Sequence, residues 1–397
     1  MRTIPFSPPD IGEAECNEVA EALRSGWITT GKRTKLFEQR LAEWIGAPKV
    51  VCLNSATAAM ELCLRILGIK DGDEVIVPAY TYTATASVVC HVGATPIMID
   101  VLKDSFELDY DSIAGKITKN TKAIMPVDIG GRMCDYKRIL AAIESKKELY
   151  SPSTELQRLF DRVIVIADSA HGFGARRDGK NSGEAADFTC FSFHAVKNLT
   201  TGEGGAATWL PREGLDNEWL YNQFMLFSLH GQNKDAFKKN QIGAWEYDII
   251  YPAYKCNMTD IMAAIGLIQL DRYTDILARR RSIIERYDEA AKSLGLSALE
   301  HYSHNVQSSG HLYLLRIPNA TETDRNALIT RMAERGVATN VHYKPLPMMT
   351  AYKNMGYSMD DYPNAFCQYQ NEITLPLHTK LSDEDVQYVI DTLKDCL

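Results

Sequence analysis

The sequence predicts an α/β fold with a mostly parallel central sheet, followed by a smaller C-terminal α+β domain. Short β-branched runs alternate with helical stretches as far as residue 255, which is typical of a parallel sheet. These runs are almost continuously apolar, as expected for strands that are covered on both faces. Beyond residue 255 the pattern changes, and we therefore predict a large domain at 1–255 and a small domain at 256–397.

The large domain is built around seven predicted strands. They are Lys49–Asn54, Glu74–Tyr80, Thr95–Val101, Ala123–Ile129, Val163–Ala167, Asp187–Phe193 and Ala206–Leu210. A helix is predicted at Thr57–Leu67, because Gly68 then stands in the position of a C-terminal stop. The polar, turn-rich segment Lys146–Glu155 is predicted to be a surface excursion before the fifth strand.

The small domain begins with a helix predicted over Met258–Asp275, whose start Thr259 can cap. Arg279–Arg281 is predicted to lie on the same long helix. A capping box of Ser382 and Asp385 predicts the start of the last helix. The remaining predicted elements are strands at Gly310–Ile317 and Val337–Tyr343, a helix at about Glu322–Arg335 and the last helix at Ser382–Leu397.

The charge and composition of the 397 residues exclude several classes of protein. Lysine and arginine number 43 against 51 acidic residues, so the net charge of −8 lacks the basic footprint of a nucleic-acid binder. No apolar run approaches the roughly 18 residues of a membrane helix. The nine scattered cysteines form no CxxC pair, which argues against a metal site or disulfide framework. With no secretory signal at the N-terminus, we expect a cytoplasmic protein.

Two charged residues follow the ends of predicted strands. Asp168 comes directly after Val163–Ala167, and the carboxyl ends of strands are where ligands bind in open α/β sheets. Lys197 lies just past the next strand, where burial can make an amine nucleophilic. Taken singly, Asp168 is better explained as a helix cap or loop anchor, and Lys197 as a solvated surface residue. Taken as a pair they suit pyridoxal 5′-phosphate (PLP), which needs a lysine for its aldehyde and a carboxylate for its pyridinium nitrogen.

Two further segments follow strand ends in the first half of the chain. The turn Asn54–Ala58 opens a helix, and backbone N–H groups there can bind an anion. Simple capping by Asn54 or Ser55 explains the same residues. Tyr82 lies in the run Pro78–Thr85 and either stacks on a planar ligand or packs in the core.

These residues fall in seven short motifs. They are SGWITTG (Ser25–Gly31), NSATAAM (Asn54–Met60), VPAYTYTAT (Val77–Thr85), ADSAHGFGA (Ala167–Ala175), SFHAVKNLTTGEGG (Ser192–Gly205), YKCNMTDIMAAIGLIQL (Tyr254–Leu270) and VHYKPL (Val341–Leu346). Together, and in this order, they resemble the DegT/DnrJ-type PLP-dependent sugar aminotransferases, which have the fold-type I architecture. The resemblance covers nearly the whole chain.

The resemblance implies three catalytic residues. Lys197 forms the Schiff base with PLP and later moves the proton between cofactor and substrate carbons. Asp168 pairs with the pyridinium nitrogen, and His171 hydrogen-bonds the ring oxygen of the cofactor. For His171 the alternative is a core histidine whose ring nitrogens are satisfied by the protein.

The resemblance also implies the remaining cofactor contacts. Ser192, Ala56 and Thr57 bind the phosphate, and Tyr82 stacks on the ring. Asn257 reaches the phosphate from the neighbouring subunit, so that the working unit is a homodimer with a shared active site. Ala56 replaces a glycine common in the family, which the backbone N–H contact tolerates.

Other positions match the family less closely. Thr29, His342 and Tyr343 occupy positions that contact the sugar substrate in the family, although a turn, a strand and a core role explain them equally well. His230 and Trp245 lie in a loop that reaches across the dimer in the family, and we assign them no role. The sequence Gly-Gly-Arg at 130–132 replaces a common tyrosine-glycine turn, which bears on the shape of the substrate pocket.

The implied reaction moves an amino group from an amino acid, L-glutamate by resemblance, to a nucleotide-linked keto sugar in amino-sugar or cell-surface polysaccharide biosynthesis. Pyridoxamine phosphate (PMP) carries the amine between the two substrates. One alternative is a PMP-dependent sugar dehydratase of the same fold, but such relatives commonly have histidine in place of Lys197. The other is a non-catalytic PLP-binding regulatory protein, although the acidic charge disfavours direct DNA binding.

Overall fold

The computed structural model describes residues 2–233 and 246–397, and a seven-stranded sheet lies at its centre. The strand order is β1-β9-β8-β5-β4-β2-β3. The strands are β1 (Val50–Leu53), β2 (Glu74–Pro78), β3 (Thr95–Ile99), β4 (Thr121–Ile124), β5 (Ile164–Asp168), β8 (Phe188–Ser192) and β9 (Gly205–Trp209). Only β9 runs antiparallel to its neighbours β1 and β8, so the mostly parallel sheet predicted from the sequence is confirmed.

The central strands are apolar on both faces because helices cover both faces of the sheet. Ile164 and Ile166 of β5 pack into one core cluster, whereas Val165 packs with Ile139 and Ile143 in another. Neighbouring side chains of a strand point to opposite faces, so this division is the pleat of β5 itself. The burial on both sides explains why the run carries no polar residue before Asp168.

The described helices surround this sheet and fill the C-terminal part. They are Glu13–Arg24, Lys32–Ile45, Ala56–Ile66, Ala84–His91, Ile113–Lys116, Tyr136–Glu144, Glu155–Arg158, Asn217–Ser228, Asp260–Asp271, Tyr273–Ser293, Glu322–Glu334, Thr350–Asn354, Pro363–Asn371 and Asp383–Cys396. The last helix starts with the predicted capping box, in which Ser382 and Asp385 each accept the backbone N–H of the other. None of the described helices is both long and apolar enough to cross a membrane.

Two small sheets complete the structure. The first is antiparallel and consists of β10 (Ser297–Ala298), β12 (Tyr313–Arg316) and β13 (Glu372–Leu375). The second consists of β6 (Arg176–Arg177), β7 (Lys180–Asn181) and β11 (Val306–Gln307). The domain boundary placed after residue 255 stays a prediction. The helix Asp260–Asp271, which follows that boundary, packs on the main sheet through Ala263 and Leu267, in one cluster with Phe37 and Phe193.

The predicted long helix through Arg279–Arg281 is wrong, because it is broken into two helices at Arg272. Arg272 has φ −106° and ψ 12°, outside helical geometry. Its guanidinium donates to Asp10 at 3.1 Å and to Glu15 at 2.8 Å in the N-terminal segment. The break therefore coincides with an ion-pair contact between distant parts of the chain.

The predicted strand Val337–Tyr343 is also wrong. Val337 forms a single parallel bridge to Ile4, and Asn340 forms a single antiparallel bridge to Thr374. Because the two ends of the segment pair with different partners, no continuous ladder develops. The segment instead delivers His342 and Tyr343 to the edge of the main sheet.

Candidate active site

A cavity of about 370 Å³ opens at the carboxyl ends of β5 and β8. Most of the residues predicted from the sequence line it. They are Ala56, Thr57, Tyr82, Asp168, His171, Ser192, Lys197, His342 and Tyr343. The parallel strands place these side chains together because their carboxyl ends lie at one edge of the sheet.

Asp168 is the last residue of β5 and is 5% exposed. Its Oδ2 accepts a hydrogen bond from the Thr85 hydroxyl at 2.6 Å, and its Oδ1 accepts one from the Ala170 N–H at 3.2 Å. Burial raises the pKa of Asp168, while these hydrogen bonds and the charge of Lys197 act in the opposite direction. A cationic ligand group at this carboxyl would therefore be held in a site with little competing water.

Lys197 lies in the turn after β8, where its backbone N–H donates to the His194 carbonyl at 2.9 Å. Desolvation lowers the pKa of its amine to about 8, and the nearby Asp168 only partly opposes this effect. A lysine at its ordinary pKa near 10.4 is almost entirely charged at neutral pH. Lys197 thus has a much larger fraction of the unprotonated, nucleophilic form.

His171 is a neutral imidazole with a defined tautomer. The Gly130 N–H donates to its Nδ1 at 3.2 Å, so Nε2 carries the proton and donates to the Tyr343 hydroxyl at 3.1 Å. Burial, together with the charge of Lys197 and the ring of His342, lowers the pKa of His171 well below its usual value. The Nε2–H is therefore a permanent donor at the cavity wall, and the Tyr343 hydroxyl accepts it in this structure.

An anion-binding corner forms where the helix Ala56–Ile66 begins. Ladder pairing places Gly205 opposite both Leu53 of β1 and Ser192 of β8. A Cβ on Gly205 would lie 2.3 Å from the Ala56 nitrogen, so glycine allows β9 to approach the helix start. The corner therefore combines free helix N–H groups with the hydroxyls of Ser192 and Thr57.

The glycine turn at 130–131 brings a second imidazole to the site. Gly130 has φ 63° and Gly131 has φ 96°, and a Cβ on Gly131 would lie 2.2 Å from the Ser309 Oγ. Because the turn lies so close to Ser309, the nearby buried ring of His311 packs against His171, with ring centroids 4.4 Å apart. The two glycines thus allow the segment that carries His311 to approach the wall of the site.

Two predicted residues lie outside this cavity. Asn257 is buried and its Nδ2 donates to the Thr30 hydroxyl at 2.6 Å. Thr29 contributes its carbonyl to the N–H of Asp260, at 3.1 Å. A role for Asn257 from a neighbouring subunit stays a prediction. Trp245 lies outside the described residues.

Sequence reasoning missed Thr85 and His311. Thr85 lies within the VPAYTYTAT motif, three residues after Tyr82, and its buried hydroxyl donates to Asp168. Its spacing from Tyr82 was an available signal. His311 is held by Asn198, whose Oδ1 lies 3.1 Å from its Nδ1, and Asn198 follows Lys197 in the chain. No local pattern could have indicated the His311 contact, because it depends on a turn distant in sequence.

The chain is similar to known aminotransferases over nearly its whole length. A model of the DegT/DnrJ/EryC1/StrS aminotransferase family matches residues 9–394. A Streptococcus pneumoniae chain assigned as a sugar aminotransferase is 55% identical in its PMP form, with a TM-score of 0.97 and 99% of each chain covered. Its PLP form is 53% identical with a TM-score of 0.96, covering 100% of this chain and 98% of that one.

More distant relatives cover the chain equally well. The spore coat polysaccharide biosynthesis protein SpsC of Bacillus subtilis is 35% identical over 396 residues, which is 99% of this chain and 96% of SpsC. PseC of Helicobacter pylori, an aminotransferase involved in the biosynthesis of pseudoaminic acid, is 26% identical with a TM-score of 0.85. That match covers 100% of this chain and 99% of PseC.

Proposed function

The chain belongs to the DegT/DnrJ/EryC1/StrS aminotransferase family, and from this premise we propose that it carries an amino group from an amino acid to a keto sugar. The family and the fold-type I architecture agree with the sequence analysis. In the finer proposal L-glutamate donates the amine and a nucleotide-linked keto sugar accepts it. A spore coat polysaccharide protein among the relatives supports a setting in amino-sugar or surface-polysaccharide biosynthesis.

We propose that the cavity holds PLP, with PMP as the form that carries the amine between substrates. The observation that carries the proposal is that Lys197 and Asp168 line one cavity beside a helix start. PLP has an aldehyde, a pyridinium nitrogen and a phosphate, and the cavity offers an amine, a carboxylate and an anion-binding corner. The residues present therefore fit the group, and the PLP and PMP forms of the S. pneumoniae relative support the assignment.

When bound, PLP supplies an electron sink for the charge that develops at the substrate carbon. Lys197 would hold the aldehyde carbon at rest and, when displaced, would remove and return the proton at the substrate Cα. Its pKa of about 8 suits a group that must do both near neutral pH. Asp168 would pair with the ring nitrogen and stay ionised there, because an adjacent positive charge lowers the pKa of a carboxyl. His171 would donate its Nε2–H to the ring oxygen.

We also propose a homodimer in which each subunit completes the site of the other. Apolar side chains are exposed at Ile28 and, close together in one short segment, at Ile249, Ile250 and Tyr254. Exposed apolar groups that cluster in this way are typical of protein–protein contact. In such a dimer Asn257 would reach the phosphate of the partner site, and Thr29 would approach its sugar substrate.

We propose that the protein is located in the cytoplasm. All nine cysteines are free, including Cys63 and Cys190, whose sulfur atoms lie 3.7 Å apart in the core. Nine scattered cysteines with no CxxC pair are typical of a protein in a reducing compartment.

Absorbance spectroscopy tests the proposal. The purified protein loaded with PLP should show the visible band of lysine-bound cofactor, and L-glutamate should convert that band to the PMP spectrum in a single turnover. Lys197→Ala should lack the band, whereas Lys292→Ala, at an exposed lysine of the helix Tyr273–Ser293, should retain it. A spectrum unaffected by any amino acid would overturn the transaminase proposal, and PLP binding without turnover would favour the regulatory alternative.

The second half of the reaction identifies the acceptor. Keto sugars with and without a nucleotide should be screened against the PMP form, and the correct class restores the visible band. Release of water rather than transfer of the amine would instead indicate the dehydratase alternative, which the amine at Lys197 disfavours.

A further inference from the structure

A buried carboxyl lies directly behind the cavity wall that His342 and Tyr343 form. Glu372 is the first residue of β13 and has no exposed surface. Its Oε2 accepts the backbone N–H of His342 at 2.9 Å. The roles proposed for Lys197, Asp168 and His171 leave this carboxyl unused, although it is hydrogen-bonded to His342, which lines the cavity.

A continuous line of hydrogen bonds joins this carboxyl to the cavity. The Thr374 Oγ1 lies 2.5 Å from the Oε1 of Glu372 and 2.9 Å from the Nδ1 of His342. The His342 ring lines the cavity, and no described residue hydrogen-bonds its Nε2. The Thr374 hydroxyl alone therefore connects the Glu372 carboxyl to the Nδ1 of His342.

We propose that Glu372, Thr374 and His342 form a proton relay that sets whether the Nε2 of His342 presents a donor or an acceptor to the substrate. The Thr374 hydroxyl has only one proton to donate. Its direction of donation decides whether the Nδ1 of His342 accepts or donates. Because a neutral imidazole carries one ring proton, fixing Nδ1 also fixes Nε2.

The two states of the relay differ by one proton. With a neutral carboxyl, Glu372 donates to Thr374, Thr374 donates to Nδ1 of His342, and Nε2 carries a proton into the cavity. With an ionised carboxyl, Thr374 donates to Oε1, Nδ1 donates to Thr374, and Nε2 presents a lone pair. In passing to the second state, the carboxyl proton moves to Thr374, the Thr374 proton moves to Nδ1, and the Nε2 proton leaves through the cavity.

The surroundings favour the neutral carboxyl near pH 7. Burial raises the pKa of Glu372 to about 8. The charge of Arg325, whose guanidinium donates to the backbone carbonyl of Glu372 at 3.1 Å, opposes this rise only in part. Burial and the charge of Lys197 lower the pKa of His342 to about 4, so its ring stays neutral. The other titratable groups that face the relay are Tyr80, Tyr343, His171 and His311.

The class of ligand rests on the proposed function. Near neutral pH the Nε2–H of His342 would donate to an oxygen acceptor, such as a carboxylate of the amino-acid donor. Above about pH 8 the same atom would present a lone pair and would repel that carboxylate. A hydrogen bond to a charged group is strong enough for the loss to weaken binding about tenfold or more.

Nuclear magnetic resonance of the PLP-loaded protein with ¹⁵N-labelled histidine tests the relay without any turnover. The signals of His342 are assigned from His342→Gln. We expect an Nε2–H tautomer at pH 6.5 and an Nδ1–H tautomer at pH 9.5. Glu372→Gln places an amide donor against Thr374 and should hold the Nε2–H tautomer at both values. Thr374→Ser should behave as the wild type, whereas Thr374→Val should lose the pH response.

Binding of glutarate, a dicarboxylate that cannot transfer an amine, gives a second measurement by its effect on the PLP absorbance. Glutarate binding by the wild type should weaken about tenfold or more between pH 7 and 9.5. Binding by Glu372→Gln should not change with pH in this way. A single tautomer at both pH values in the wild type would overturn the relay, as would an unaltered response in Thr374→Val. Neither result depends on catalysis, so failure of the relay remains distinct from failure of the proposed function.

Discussion

The Thr85 hydroxyl donates to the Oδ2 of Asp168 across 2.6 Å, and both side chains are buried. Thr85 has a single proton, and it is committed to the carboxylate, while the neighbouring Thr81 hydroxyl lies 3.1 Å away. A charge-assisted bond of this kind stabilises the ionised form of Asp168 against the burial that raises its pKa. Thr85 is therefore a positioning residue for the carboxylate proposed to hold the cofactor ring.

Thr85→Val should impair catalysis through this carboxylate. The variant keeps the shape of the side chain but removes the donor, so the pKa of Asp168 should rise further. We expect kcat/KM to fall about tenfold or more and the acid limb of its pH profile to move to higher pH. Thr85→Ser keeps the donor and serves as the control. Equal profiles for the valine and serine variants would contradict the assigned role.

Lys197→Met should stabilise the cofactor-free protein. Burial lowers the pKa of Lys197 from 10.5 to about 8, so at neutral pH folding must bury a charge that the unfolded chain leaves in water. This costs roughly 3 kcal/mol below pH 8, and the cost disappears as pH rises from 8 to 10.5. Urea unfolding at pH 7 and at pH 9.5 should show the advantage of the variant shrinking with pH. If the stability advantage of Lys197→Met instead grew with pH, the pKa of Lys197 would not be lowered by folding.

Gly205→Ala should weaken cofactor binding at the anion-binding corner. The added Cβ would meet the Ala56 nitrogen and the Ser55 carbonyl carbon, each at 2.3 Å, and backbone atoms cannot move aside easily. Overpacking of this kind typically costs about 1–3 kcal/mol. Gly115→Ala is the matched control, because its Cβ would meet nothing within 4 Å. PLP titration should show weaker binding, and thermal unfolding lower stability, for Gly205→Ala than for Gly115→Ala. Equal PLP affinities would contradict a role of the anion-binding corner in cofactor binding.

Mixed dimers should reveal whether the site is shared. Lys197→Ala and Asn257→Asp should each be inactive as homodimers. If Asn257 serves the neighbouring site, a heterodimer of the two has one intact site and recovers about half of the wild-type activity. Heterodimers purified with two different affinity tags give the measurement. An inactive heterodimer would mean that Asn257 acts within its own chain, where its Nδ2 bonds Thr30.

The sequence was sufficient to predict features that depend on local pattern. The strand ahead of Asp168 and the turn ahead of Lys197 follow from apolar runs and polar boundaries, and both residues line the cavity. The capping box of the last helix depends on two residues three apart, Ser382 and Asp385, and is also found. In each case the physical cause lies within a few residues of the effect.

The features that could not be predicted depend on contacts between distant segments. A strongly helical pattern is broken at Arg272, where the guanidinium pairs with the N-terminal segment and no glycine or proline marks the place. The residues after Val337 have strand composition but find two separate partners instead of one. β13 was missed because Glu372 begins it, and a buried glutamate looks like a surface residue in sequence.

The assembly of the anion-binding corner limits when the cofactor can bind. Leu53, Ser192 and Gly205 become neighbours only through the ladder that joins β1, β8 and β9. The opposite wall, with His342 and Tyr343, is braced by β13 close to the C-terminus. A nascent chain therefore has no complete pocket until β13 has been synthesised. A cofactor that needs the complete pocket therefore cannot assist the folding of β1 to β9, which are made first.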